Sequence, residues 1–145
     1  MTDFDCTPQV DLEFMNAEHR KAFEDANQIK VLLQSAKKDR ELVEKKLNSC
    51  LEQLLSDTIN HFQLEEKYME EYQFPARKKH QQEHNRVLVR MTDQCDYWQS
   101  QHNLKATLQL EQYISEEFPQ WLVNHIVTMD TVIASYIARH GGKSL

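Results

Sequence analysis

Glycine and proline are scarce in this chain. Of its 145 residues only two are glycine, Gly141 and Gly142, and three are proline, at positions 8, 75 and 119. Residues that break helices are therefore almost absent from position 9 to position 140, while 28% of the chain is charged and 40% is apolar. Such a composition favours helix throughout. We therefore predict an all-α protein.

Long apolar runs and basic runs are also missing. No stretch approaches the roughly 20 apolar residues that are needed to span a bilayer. The first residues, Met1 to Asp5, do not resemble a secretory signal sequence. Acidic residues outnumber basic ones by 23 to 17, which gives a formal charge of −6 and leaves no basic stripe for a phosphate backbone. We expect neither membrane insertion nor a nucleic-acid partner.

Cysteine is rare, and two further motifs are absent. The three cysteines form no C-x-x-C pair, so we interpret them as free reduced thiols. With the missing signal sequence, this indicates a cytoplasmic location. The His-Glu-x-x-His signature of zinc hydrolases does not occur either.

Apolar residues recur at helical period along the whole chain. They predict a first helix from about Ala17 to Ala36, with Asn16 as its N-cap, and further helices over residues 40–72, 76–101 and 104–139. Pro75 separates the second helix from the third, and Pro119 lies inside the last, which is either one kinked helix or two abutting ones. Four long helices with short connections predict an up-down-up-down antiparallel four-helix bundle. We expect one domain over residues 1–140 and a tail or truncated linker over 141–145.

Histidines and carboxylates lie on the apolar stripes of these helices. His61 precedes Glu65 by four positions and His80 precedes His84 by four, and residues four apart share one face of a helix. Each pair can therefore direct two ligands at one point. The stripes of the first and last helices carry the remaining candidates: His19, His125 and Asp130.

The predicted burial of these seven side chains is what makes them evidence for a metal site. On a charged helix most such pairs are solvated, so each motif alone is weak. An unpaired buried polar group costs about 1 to 3 kcal/mol, so five imidazoles and two carboxylates without partners would cost on the order of 10 kcal/mol. Metal coordination removes this cost. Histidine suits iron, zinc, copper and nickel, and bridging carboxylates favour a pair of ions, so a two-iron centre is chemically reasonable.

The other two histidines and one spacing need separate comment. His102 and His140 fall at predicted helix ends, and we expect both to be ordinary surface groups. His125 and Asp130 are five positions apart, which is about 140° around an ideal helix. Either Asp130 reaches round to the cluster, or the helix contains a local i to i+5 distortion.

Together these segments resemble the hemerythrin family, in its bacterial branch, over about residues 12–139. The matching segments are Asn16-Ala17-Glu18-His19, the run from His61 to Met69 with Tyr72 and Pro75, the pair His80 and His84, and the run from Trp121 to Ile126 with Asp130. The resemblance implies a hemerythrin-like bundle that holds two iron ions. Three histidines would hold one ion: His80, His84 and His125. Two histidines would hold the other: His19 and His61.

The resemblance also implies how the two ions are joined and where a ligand binds. Glu65 and Asp130 would bridge the ions together with an oxo or hydroxo group. The ion with two histidines would keep an open position for O2 or a small anion such as azide. An apolar pocket would surround it, although its residues also fit an ordinary bundle core: Phe62, Trp121, Leu122 and Ile126. The family commonly has leucine three residues after the first-helix histidine, where this chain has Ala22, so we expect an opening there and quick oxidation in air.

We therefore expect a non-haem di-iron protein that binds O2 reversibly without turnover, and more specifically an oxygen- or redox-sensing domain of a bacterial signalling protein. The segment from Gly141 to Leu145 resembles a linker and slightly favours fusion to a C-terminal signalling domain. One alternative is a stand-alone O2 carrier or store. A di-iron oxidase or peroxidase is disfavoured, because such sites use mostly carboxylates and Glu-x-x-His pairs. A metal-free helical adaptor is disfavoured by the buried polar groups.

Overall fold

The computed structural model describes residues 8–140. Three helices come first: α1 (Glu13–Ala36), α2 (Arg40–Glu71) and α3 (Arg77–Ser100). The fourth helix comprises α4 (Leu104–Gln112), α5 (Phe118–His125) and α6 (Thr131–Arg139), joined by two π-helical turns, Tyr113–Glu117 and Ile126–Asp130. No strand occurs in the described range, so the all-α prediction is confirmed. The predicted tail, residues 141–145, lies outside that range.

Helix α1 begins earlier than its sequence pattern predicts. Leu12 occupies the N-cap position with an extended backbone and makes no side-chain cap hydrogen bond. Asn16, the predicted N-cap, lies within the first turns of the helix and is buried. Its side-chain amide accepts a hydrogen bond from the Val10 N–H at 2.8 Å and donates one to the Val10 carbonyl at 3.0 Å. Asn16 therefore fixes the preceding segment against α1 instead of capping the helix.

Helix α2 ends where the sequence predicts, just before Pro75. Gln73 has a φ of 53°, in the left-handed region. The Gln73 N–H donates to the Glu70 carbonyl at 3.2 Å, and the Phe74 N–H donates to the Met69 carbonyl at 2.8 Å. This pair of bonds is a Schellman motif, and the buried Phe74 and Met69 supply its usual hydrophobic contact. The turn thus fixes the entry into α3.

The fourth helix is continuous across Pro119. At the first π-helical turn the Phe118 N–H donates to the carbonyl of Tyr113, five residues earlier, and the backbone stays in the right-handed helical region. Pro119 has no N–H to donate, so the wider turn adapts the hydrogen-bond ladder just before it. The segment is therefore one helix with a wider turn before Pro119, and not two abutting helices.

The buried core has two apolar clusters with a polar layer between them. On α2, Leu54 belongs to the larger cluster and Met69 to the smaller one, and His61 and Glu65 lie between them. The fourth helix repeats this order, with Asp130 between members of the two clusters. Cys50 and Cys95 are both free thiols, as predicted. None of the described helices is long and apolar enough to cross a membrane.

Candidate metal centre

All seven candidate ligands meet in the polar layer, and every helix contributes to it. The most exposed of them, His61, is only 8% exposed. The contributions in chain order are His19 from α1, His61 and Glu65 from α2, His80 and His84 from α3, and His125 and Asp130 from the fourth helix. Periodicity had put the five histidines and Glu65 on inward faces, and the fold brings those faces together; Asp130 joins them through a π-helical turn.

The seven residues form two groups that share their carboxylates. The three-histidine group consists of His80, His84 and His125 with Glu65 and Asp130. The two-histidine group consists of His19 and His61 with the same two carboxylates. Within each group the potential ligand atoms all lie within 4.8 Å of one another. Each group is therefore small enough to surround a single ion.

Glu65 directs its two oxygens at different groups. Its Oε1 lies 3.1 Å from His84 Nε2 and 3.4 Å from His80 Nε2, on the side of the three-histidine group. Its Oε2 lies 2.7 Å from Nε2 of His61, in the two-histidine group. A carboxylate with one oxygen on each side is in the position of a bridge.

Asp130 repeats this arrangement. Its Oδ1 lies 3.1 Å from His125 Nε2 and 3.2 Å from His80 Nε2. Its Oδ2 lies 3.0 Å from Nε2 of His19, in the other group. Each of the two carboxylates thus has one oxygen near the three-histidine group and the other near the two-histidine group.

Most of these close approaches do not have hydrogen-bond geometry. Both oxygens of Glu65 and Oδ1 of Asp130 are buried without a hydrogen-bond partner in the described part of the chain. The same holds for Nε2 of three histidines: His80, His84 and His125. Buried polar atoms are nearly always satisfied, so a cluster of unsatisfied atoms needs an explanation. Ligand atoms that converge on ions rather than on one another fit this arrangement.

The electrostatics of the layer are those of a site for cations. Burial alone would raise the pKa of Glu65, but the facing His61 lowers it well below its usual range. Burial and the charge of Glu65 would likewise raise the pKa of Asp130, and the facing imidazoles of His125 and His19 lower it. Burial disfavours protonated His61, yet Glu65 and Glu18 raise its pKa to about 10. The two carboxylates therefore remain charged, and the positive charge that balances them is either a proton on a facing imidazole such as His61 or a bound cation that replaces this proton.

Two acidic residues outside the predicted ligand set orient the histidines. The Nδ1–H of His61 donates to Oε1 of Glu18 at 2.6 Å, and the Nδ1–H of His84 donates to Oε2 of Glu66 at 3.0 Å. In the neutral imidazole, each bond leaves the Nε2 lone pair directed at the cluster, as a metal-binding imidazole requires. The sequence pattern did not predict that Glu18 and Glu66 orient these histidines, because each hydrogen bond joins two different helices. The only available signal was their position next to His19 and Glu65.

The five-residue spacing of His125 and Asp130 is explained by the second π-helical turn. The Thr131 N–H donates to the carbonyl of Ile126, five residues earlier, and the Thr131 hydroxyl donates to the same carbonyl at 2.8 Å. A π turn takes more residues than an α turn, so side chains five apart come to one face. The second of the two predicted alternatives, a local distortion, is therefore the observed one.

A cavity of about 140 Å³ lies beside the two-histidine group, with His19 and His61 in its wall. Four of the five predicted pocket residues line it: Ala22, Phe62, Trp121 and Leu122. The fifth, Ile126, does not line this cavity and is fully buried in the larger apolar cluster. The exposed side chains of Lys21 and Asn60 also line the cavity and mark its opening to solvent.

The remaining histidines stay outside the cluster. His102 lies at the start of the fourth helix with a side chain that is 64% exposed. His140 is exposed and stacks on Tyr136 with ring centroids 4.0 Å apart. Both are surface groups, as the sequence predicted.

Fold and site together define a class of protein: a helical bundle with a buried layer of histidine and carboxylate that could hold metal. The model of one family, the hemerythrin HHE cation binding domain, matches residues 10–137. The bacteriohemerythrin of Aquifex aeolicus (strain VF5) is 30% identical over 124 residues, which are 86% of this chain and 88% of that relative. The chain belongs to the hemerythrin family, and the resemblance inferred from sequence is confirmed. Proteins of this family hold non-haem iron and generally bind O2 rather than act as enzymes.

Proposed function

We propose that this protein holds two non-haem iron ions in the polar layer and binds O2 reversibly, without turnover. The observation that carries the proposal is the pair of carboxylates, Glu65 and Asp130, each with one oxygen toward each histidine group. Two groups joined in this way suit a pair of ions that the two carboxylates would bridge, and a solvent-derived oxo or hydroxo group would complete the bridge. Five histidines with only two carboxylates also differ from the carboxylate-rich sites of di-iron oxidases.

The two groups differ in a way that favours one of them for ligand binding. With both bridges counted, the three-histidine group offers five protein ligands and the two-histidine group offers four. The group with fewer ligands is also the one beside the cavity, because His19 and His61 line it. An open coordination position would therefore face a space large enough for O2 or azide.

The surrounding residues support binding without further reaction. When bound, the ion pair would supply the electrons that reversible O2 binding requires. Phe62 and Leu122 give the cavity part of an apolar wall that limits water, although polar side chains such as Asp57 also line it. Glu18 and Glu66 hold two of the imidazoles in fixed orientation. Phe62 also lies flat on His84, with ring centroids 3.8 Å apart and an angle of 2° between the rings.

An oxygen- or redox-sensing role is the more specific part of the proposal. The supporting feature is the opening beside Ala22, because a centre that small molecules reach easily is oxidised quickly and serves poorly as a store. We further propose the up-down-up-down antiparallel order, since the connections at residues 37–39, 72–76 and 101–103 are too short for long crossovers. A cytoplasmic location and a fused signalling domain stay predictions from sequence.

The test is the metal content of the purified protein together with its absorption spectrum before and after azide is added. We expect two irons per chain and charge-transfer bands that azide changes. Asp130→Asn, which weakens a bridge, should lower the iron content, whereas His102→Ala, which removes an exposed histidine, should leave it at the native value. Less than one iron per chain, or zinc in its place, would contradict the proposal.

A further inference from the structure

Trp121 contacts the metal centre on one face and a carboxylate at its edge. Its indole stacks on the imidazole of His125, with ring centroids 4.6 Å apart and 21° between the rings. Its Nε1–H donates to Oε2 of Glu83, on α3, at 2.6 Å. Hydrogen bonds to an ionised acceptor are short and strong, so this bond fixes the orientation of the ring.

Trp121 and Phe118 also separate two cavities. Both side chains line the cavity beside the two-histidine group, and both line a second cavity of about 150 Å³. Arg86 and Arg90 line the second cavity, and their side chains are 61% and 49% exposed. The second cavity therefore reaches the surface between two arginines, and the aromatic pair is all that the two cavities share.

Glu83 is itself firmly held. Arg86 donates to both of its oxygens, from Nε and from Nη2, at 2.9 Å each. Glu83 directly precedes His84 on α3, so its backbone belongs to the same rigid turn as the metal-ligand candidate. Trp121, by contrast, follows Pro119 and the first π-helical turn, where the backbone ladder is incomplete. The bond to Glu83 therefore ties the indole to α3 in addition to its own helix.

We propose that Glu83 is a positioning residue that holds the Trp121 indole as a wall between the two cavities. Small molecules then reach the metal centre through the opening beside Ala22 and not from the side of Arg86 and Arg90. The part of this inference that concerns ligand entry rests on the proposed function. The wall itself is a property of the protein and can be tested without iron chemistry.

The first test is quenching of tryptophan fluorescence by acrylamide. The only other tryptophan, Trp98, is fully buried, so the quenching reports Trp121. Glu83→Ala should raise the quenching constant at least about twofold. Glu83→Gln should restore the native value, because its amide oxygen still accepts from the indole. Arg86→Gln, which removes the ion pair and keeps the indole bond, should also remain native.

Two results would overturn the proposal. If Glu83→Ala leaves quenching unchanged, Glu83 does not hold the indole. If Glu83→Gln or Arg86→Gln changes quenching as much as Glu83→Ala, the carboxylate acts through its ion pair and only stabilises the fold.

The second test is azide uptake by the iron-loaded protein in stopped-flow mixing. Ala22→Leu should slow uptake by narrowing the first opening, and adding Glu83→Ala to it should restore a rate several-fold faster by opening the second. A double variant as slow as Ala22→Leu would mean that no second route opens, against the proposal. If the protein takes up no iron, the proposed function fails. The quenching experiment then still tests whether Glu83 holds the Trp121 indole between the two cavities.

Discussion

Filling the cavity at Ala22 should slow access to the metal centre. Ala22 lines the cavity next to His19 and His61 and is half-buried, so the longer side chain of Ala22→Leu can enter the space of about 140 Å³. The change adds three carbon atoms. At about 0.8 kcal/mol for each buried methylene, full burial would stabilise the fold by about 2 kcal/mol. Because this cavity is partly open, we expect about 1 kcal/mol, as for other cavity-filling changes.

The rates of ligand entry are the decisive measurement. In stopped-flow experiments on the iron-loaded protein, Ala22→Leu should take up azide several-fold more slowly than the native chain. The reduced protein should be oxidised by air more slowly by a similar factor. Iron content should not change. Ala17→Leu is the matched control, because Ala17 is exposed on the same helix and does not line the cavity.

Two outcomes would refute this reasoning. Equal rates for the native chain and Ala22→Leu would mean that access beside α1 does not control the chemistry, and the sensing role would lose its main structural support. Loss of iron from Ala22→Leu would mean that the leucine displaces His19 instead of filling free space.

Three further changes test other parts of the structure. His80→Ala should lower the iron content from about two to about one and lower the melting temperature, because metal binding contributes to folding; a variant with unchanged iron content and melting temperature would contradict the ligand assignment. Burial, together with a hydrogen bond to Asp57, raises the pKa of Asp25 to about 7. Between about pH 4 and pH 7 the Asp25 carboxyl is therefore protonated in the folded protein and ionised in the unfolded chain. The free energy of unfolding consequently falls as pH rises through that window. A shift from 3.8 to about 7 corresponds to about 4 kcal/mol of unfolding free energy, which solvent screening reduces. In urea unfolding, the stability of Asp25→Asn relative to the native chain should therefore be about 1 kcal/mol higher at pH 8 than at pH 4. An equal relative stability at both pH values would count against the raised pKa. Asn16→Ala removes both hydrogen bonds to Val10 and should lower the free energy of unfolding by about 1 to 3 kcal/mol in the same assay. A decrease no larger than that of the control Gln28→Ala, at an exposed position of the same helix, would show that these bonds do not stabilise α1.

The parts of the molecule that periodicity controls could be predicted from sequence. An α-helix ties the spacing of residues to the face on which they lie, so His61 with Glu65, and His80 with His84, could be put on inward faces without knowledge of the fold. The end of α2 and the start of α3 followed from Pro75, and the length of both helices from the scarcity of other helix breakers. The convergence of six of the seven candidates needed only that these faces meet, whereas Asp130 also needed the second π-helical turn.

Contacts between helices could not be predicted in the same way. The bonds from His84 to Glu66 and from Trp121 to Glu83 depend on how two helices are rotated about their own axes, which the pattern of one helix does not record. The start of α1 was wrong because Asn16 bonds backwards to Val10, a choice that local propensity does not distinguish from capping.

The second π-helical turn connects the metal centre to the end of the fourth helix. Asp130 closes this turn and is the first residue before α6, so the same residue that faces both histidine groups also sets where α6 begins. The Thr131 N–H and hydroxyl both donate to the Ile126 carbonyl and so hold the turn in its π-helical form. In the proposed function, a change in the charge of the two ions would act on both oxygens of Asp130 at once, because Oδ1 faces one histidine group and Oδ2 faces the other. Because Ile133 and Ile137 of α6 belong to the smaller apolar cluster and interiors are closely packed, a displacement of Asp130 along the helix would be passed on to that cluster.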